Sequence, residues 1–140
     1  MKRRSFLIAV LLPATAQAHS FKVGDIAIGH AWALPSQQMD GQVFFPLANQ
    51  GKAHDELVAA RSNICNLIEL RQNNRYDDLA LASIALEPLK PVPMRPTARH
   101  LRLVGLKQSL KAGDTFSMIL DFLNAGEIEI EVMVEEKPKE

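Results

Sequence analysis

Cysteine is all but absent from this chain. Cys65 is the one thiol in 140 residues, so no internal disulfide can form and the fold must stand on its core. A lone cysteine reads first as a small buried hydrophobe, and otherwise as a reactive thiol or soft-metal ligand. After the first residues no apolar stretch is long enough for a membrane helix. No basic stripe interleaved with aromatics occurs, which removes support for nucleic-acid binding. No nucleophile, base and orienting group stand together, and no carboxylates are paired for acid–base work, so the chain does not read as an enzyme. Internal repeats, low-complexity tracts and a second domain are also missing.

What is present begins with a targeting segment. Lys2, Arg3 and Arg4 precede the apolar run Phe6 to Leu12, Pro13 breaks it, and Ala16-Gln17-Ala18 supplies a small-x-small cleavage pattern. Residues 1–18 are therefore expected to be a cleaved signal peptide; a buried first helix is the structural alternative. Arg3-Arg4-Ser5-Phe6-Leu7 also fits the twin-arginine pattern, so ordinary Sec export and twin-arginine export both stay open. Cleavage takes three of the 16 Lys and Arg and leaves 13 against 16 Asp and Glu, a mildly acidic mature chain that does not span a membrane. Its length, about 120 residues, suits one hydrophobic core.

The mature chain has the period of strands. Ile26, Ile28 and Trp32 share one face of an extended segment, with His30 in the same register. Val43 to Leu47 is a second apolar run, in which Pro46 predicts an edge or a bulge. Leu57 to Ala60 follows the turn Asn49-Gln50-Gly51-Lys52. From Asn66 to Arg71, Ile68 and Leu70 face one way and Leu67, Glu69 and Arg71 the other. Leu79 to Leu86 is alanine-rich and could pass for helix; Pro88, Pro91, Pro93 and Pro96 exclude regular structure after it. Leu101 and Leu103 alternate with His100 and Arg102, and Phe116, Met118, Leu120 and Phe122 keep period two. The clearest strand follows Asn124-Ala125-Gly126, where Glu127, Glu129 and Glu131 alternate with Ile128, Ile130, Val132 and Val134. About seven to nine short strands and no confident long helix predict an all-β, antiparallel β-sandwich. Residues 19–135 form its single domain and residues 136–140 a charged tail.

Several segments in order resemble the PCu(A)C family of periplasmic copper chaperones. His19 to Ile26 is similar to its opening strand, and His30-Ala31-Trp32-Ala33 to its His-Pro-Trp-Ala segment with alanine for proline. Gly41 to Asn49 resembles its glycine-aromatic strand ending in Thr-Asn; Asp55 to Val58 and Ile68 to Leu70 resemble the strands leading to its site. Leu103 to Asp114 is similar to its Met-Gly-Leu-Lys-x-x-Leu-x-x-Gly-Asp stretch, and Ala125 to Val132 to its closing strand. The resemblance implies a cupredoxin-like Greek-key sandwich in the periplasm. It also implies copper as cargo and a copper-accepting periplasmic or membrane-anchored protein as partner.

The family holds Cu(I) with two His-x-Met pairs. Soft cuprous copper favours thioether and imidazole, and alternate residues of a strand share a face roughly 7 Å apart. In this chain the first pair falls on Arg71 and Asn73 and the second on His100 and Arg102. A guanidinium has no lone pair to give, and an amide is a hard, poor ligand for Cu(I). A further family methionine falls near Ala82. Only His100 survives, between two cations that would repel a bound ion.

Met94 in the proline loop is a candidate replacement donor, as is Met39 in the loop before Gly41; the plainer reading of both is packing or surface. Cleavage after Ala18 would make His19 the amino terminus, whose amine and imidazole suit Cu(II), with His30 as a third nitrogen; the alternative is a frayed end. Cys65 lies about 20 Å from Arg71 along an extended strand and cannot easily join them. His54 reads as a turn residue. The Arg71/His100/Arg102 face could instead hold an anion or a partner's carboxylate, making a metal-free binding module. A blander alternative pairs Arg71 with Glu69 or Glu87 on the surface.

Overall fold

Period-two alternation becomes strands wherever one face can be buried, and a computed structural model describes residues 20–136 in those terms. The leader, His19 and the last four residues lie outside the described residues. Eleven strands are described: β1 (Phe21–Val23), β2 (Ile26–Ile28), β3 (Trp32–Ala33), β4 (Asp40–Phe44), β5 (Leu47–Asn49), β6 (Asp55–Arg61), β7 (Leu67–Arg71), β8 (Ile84–Leu86), β9 (His100–Val104), β10 (Thr115–Phe122) and β11 (Gly126–Val134). Three form a small sheet, β1-β2-β5, and eight a large one, β7-β9-β4-β3-β11-β10-β6-β8. The result is an all-β sandwich. Among the pairings of described strands the expected antiparallel pattern has one exception, β3 beside β11, which run parallel through Trp32↔Met133 and Ala33↔Val134.

The exception arises where the chain changes sheets. The segment from Ile26 to Trp32 is not one strand: β2 lies in the small sheet and β3 in the large one, divided at Gly29-His30-Ala31. The run Val43 to Leu47 divides in the same way at Phe45-Pro46. The two crossings touch, with the Gly29 N–H donating to the Pro46 carbonyl at 2.9 Å. A Cβ on Gly29 would meet the Pro46 ring at 2.5 Å, so only glycine admits this approach. These crossings are the corner of the sandwich.

The hairpin of β10 and β11 is the longest pairing, from Thr115↔Met133 to Phe122↔Gly126. Met118, Leu120, Phe122, Ile130, Val132 and Val134 turn inward from it, while Glu127, Glu129 and Glu131 are exposed. Ile26, Ile28, Phe45, Leu47, Leu57, Leu101 and Leu103 complete the centre of the core, and Cys65 is buried at its margin. Leu79 to Leu86 is not helical: Leu79 is 95% exposed, Leu81 makes one bridge to Leu70, and only Ile84–Leu86 forms a strand. After it the prolines leave a loop, pinned by the Leu47↔Val92 and Asn49↔Pro88 bridges.

Candidate functional site

Three adjacent strands of the large sheet carry the site. In the β7–β9 register Glu69 lies opposite Arg102 and Arg71 opposite His100. In the β4–β9 register Gln42 lies opposite Arg102. Strand parity puts Asp40, Gln42, Glu69, Arg71, His100 and Arg102 on one face, with Val43, Leu70, Leu101 and Leu103 in the core behind them. Loops folded over that face leave His100 fully buried and Arg71 2% exposed.

His100 is held at both ring nitrogens. Its Nδ1–H donates to the Ala98 carbonyl at 2.8 Å, so Nε2 is the acceptor, 2.9 Å from the Tyr76 hydroxyl and 3.2 Å from the Gln42 amide nitrogen. The Gln42 amide also donates to the Tyr76 oxygen and to the Pro96 carbonyl, both at 3.0 Å. Phe44 packs at a centroid distance of 6.1 Å, itself stacked on Trp32. Burial pushes the His100 imidazole below its ordinary pKa, and Arg71 and Arg102 push the same way against the Ala98 carbonyl.

The two guanidiniums are matched within the chain. Arg102 donates through Nε and Nη2 to Asp40 at 3.2 and 3.1 Å, and through Nη1 to Glu69 at 3.4 Å. Arg71 donates to the same Glu69 oxygen at 3.3 Å and to the Arg75 and Asp78 carbonyls at 2.9 and 3.0 Å. Arg71 therefore fastens the loop that carries Tyr76. The Tyr76 ring receives both cations, with Cζ of Arg102 4.0 Å and Cζ of Arg71 5.1 Å from its centroid. The expected surface pairing of Arg71 is thus corrected: Glu69 is a partner, but the guanidinium is buried, and Glu87 bonds to His54 instead. A cleft of about 320 Å³, lined by Pro35, Gln38, Asp40, Gln42, Asn74 and Tyr76, opens beside this cluster.

The other candidates lie elsewhere. Asn73 is half-buried beyond the end of β7, bonded to Asp78 and to the Arg75 N–H. The Met94 sulfur accepts the Phe45 N–H at 3.5 Å, at the strand crossing. Met39 is 72% exposed and Ala82 is exposed. His30 bonds to Glu135. Cys65 precedes the far end of β7, and burial pushes its thiol pKa up. His19 lies outside the described residues. Among the described residues no three His, Cys, Asp or Glu side chains gather as a metal cluster. His100 fits copper as a soft-tolerant nitrogen donor; Arg71, Asn73 and Arg102 do not.

Sequence reasoning missed Tyr76, Gln42 and Asp40 as members of this cluster. The available signal was composition: Tyr76 is the only tyrosine of the chain and sits in an otherwise polar stretch.

Residues 26–134 match the family model described as "Putative lipoprotein LpqE-like". The chain belongs to the LpqE-like family. A relative of this LpqE-like chain, "Putative lipoprotein Lxx21020" of Leifsonia xyli subsp. xyli, is 24% identical over 133 residues, 91% of this chain and 80% of the relative. Among solved structures, the apo PCuAC domain from PmoF1 superposes with TM-score 0.78 at 21% identity, over 85% of this chain and 100% of that one. The copper-bound PCuAC domain from PmoF2 gives 0.76 at 26%, over 85% and 99%. CuI-DR1885 from Deinococcus radiodurans gives 0.67 at 17%, over 91% and 87%. The LpqE-like chain thus has the PCuAC fold, and the resemblance read from its strands holds.

Proposed function

We propose that this LpqE-like chain is an exported, periplasmic PCuAC-type module that carries or delivers copper through an altered and weakened site, and is not an enzyme. The state of His100 carries this reading. One imidazole stands where the resemblance expects a ligand and burial lowers its pKa, but Tyr76 holds its Nε2 lone pair and guanidiniums stand at residues 71 and 102. The copper-bound state named for the PmoF2 domain supports copper as the cargo. The acceptor would be a copper-binding periplasmic or membrane-anchored protein. His19, once amino-terminal, would supply an amine and an imidazole for Cu(II); Met94 would have to leave Phe45 to contribute its thioether. Export by either the Sec or the twin-arginine route is compatible with the leader.

Competitive titration of Cu(I) and Cu(II) into the mature protein tests this. Weak Cu(I) uptake should fall in His100→Ala, and Cu(II) uptake should fall in His19→Ala. The combined variant Arg71→His, Asn73→Met, Arg102→Met should bind Cu(I) far more tightly than the natural chain. No gain in the combined variant would sink the placement of the site. No uptake by the natural chain would favour the second reading, a metal-free module using the Arg71/His100/Arg102 face. The arginines at two ligand positions favour that reading, but Asp40, Glu69 and two carbonyls already neutralise and bind them.

A further inference from the structure

Arg71 and Arg102 have acceptors inside the chain; among the described residues two nearby arginines have no side-chain hydrogen bond or ion pair. Arg95 and Arg99 bracket the tight turn before β9. The Arg95 N–H donates to the Arg99 carbonyl at 2.9 Å, and the Ala98 N–H to the Arg95 carbonyl at 3.1 Å. Arg99 precedes His100, whose partner is Arg71, so the same register brings Gln72 to Arg99. Gln72, Pro93, Arg95, Ala98 and Arg99 line one pocket of about 270 Å³. No carboxylate lines it, and among the described residues neither guanidinium forms an ion pair. The Arg99 Nε is buried without a hydrogen-bond partner. A buried donor left unpaired is costly, and each guanidinium offers its donors in a fork that matches a carboxylate. Pro93 and Ala98 give the pocket apolar walls suited to the methylene stem of a glutamate.

We propose that this pocket docks an acidic segment of a partner protein, seating a carboxylate side chain between Arg95 and Arg99, one residue from His100. The docking does not depend on copper at His100. It gives the partner's acidic strand or loop a fixed approach to the β7–β9 end of the sandwich.

The probe is a glutamate-rich peptide, titrated by isothermal calorimetry or amide shifts into the mature protein, with a glutamine-for-glutamate peptide and inorganic phosphate as comparisons. Arg95→Gln and Arg99→Gln should each weaken the acidic peptide about ten-fold, the loss expected for one charge-assisted contact. Arg61→Gln, an equal charge change on β6, should leave it unchanged. Arg95 is exposed, so its replacement leaves the core intact; Arg99→Lys keeps the charge if Arg99→Gln does not fold. Absence of peptide binding, equal losses in all three variants, or equal binding of the glutamine peptide would overturn the proposal. Phosphate alone binding as tightly, with the same dependence on Arg95 and Arg99, would make this a small-anion site and also overturn it.

Discussion

Two pairs of polar side chains are buried in the described residues, Asn49 with Asp55 and Arg71 with His100, and they are satisfied in opposite ways. Asn49 donates to the Ala53 and Leu86 carbonyls and accepts the Gly51 N–H. Asp55 accepts the N–H groups of Glu56, Asn124 and Ala125. Every one of those partners is backbone, and together they tie β5, β6, β8 and the β10–β11 turn. Arg71 and His100 bond largely to other side chains and to loop carbonyls, and the Arg71 Nε has no partner. The first pair is architecture, because backbone groups at a sheet end must be matched wherever the fold puts them. The second occupies positions that the sequence resemblance aligns with metal ligands, and its own network closes over them.

The largest test of that contrast is Asp55→Ala. It strips three N–H groups of their acceptor and should cost about 3 kcal/mol by urea denaturation, with an unchanged slope. Arg71→Met should cost about 1 kcal/mol or less. It removes a buried charge with one unmet donor, and the freed carbonyls belong to exposed Arg75 and Asp78. A loss as large as that of Asp55→Ala would mean Arg71 is an equal part of the architecture.

Tyr76→Phe deletes the O–H that holds the His100 Nε2 and should cost about 1 kcal/mol. Gln42, already 3.2 Å away, can take over the lone pair. The same substitution should tighten copper binding at His100 if the tyrosine is what closes the site.

The pH dependence bears on the second pair. His100 is held below the ordinary imidazole value of 6.5 by burial first. As pH falls, the unfolded chain takes up its proton before the folded chain does. The His100 contribution is therefore whole above pH 6.5, is lost below it, and levels off once the folded imidazole also protonates. Thermal midpoints measured down this range should drop, and His100→Gln should flatten the drop. His54 runs the other way, raised by Glu56 first, so its small contribution is present at low pH and fades as pH rises through its folded value. The smallest effect is at the exposed Arg61–Glu127 pair, where Arg61→Ala should leave the midpoint unchanged.

Much of the fold was legible because alternation is a local signal. Glu127 to Val134 announces β11, and the burial pattern follows it residue by residue. The segment Ile26 to Trp32 reads as one strand, because alternation does not tell which sheet a strand joins, whereas Gly29 lets the chain cross between two. Leu79 to Leu86 stays compatible with helix in the sequence because an alanine-rich run carries no period, and only pairing with Asp55 to Leu57 on β6 selects strand over its last three residues. In the site, positions 71 and 100 could be brought together from strand order. Tyr76 could not, since its loop is placed by the Arg71 guanidinium reaching two carbonyls, contacts with no periodic trace.

By itself the sequence determined an all-β chain with one core, no disulfide, and, where the resemblance expects two His-x-Met pairs, one imidazole, two guanidiniums and an amide. These follow from side-chain chemistry and from a period of two, which neighbouring residues are enough to express. The tertiary structure alone decided that those guanidiniums are spent on Asp40, Glu69 and loop carbonyls, that Tyr76 closes over His100, and that, among the described residues, Arg95 and Arg99 are left without counterions. The Arg102 and Tyr76 pairings join residues tens of positions apart, and the energies of all of them depend on distance and burial, quantities that exist only once the strands are in register.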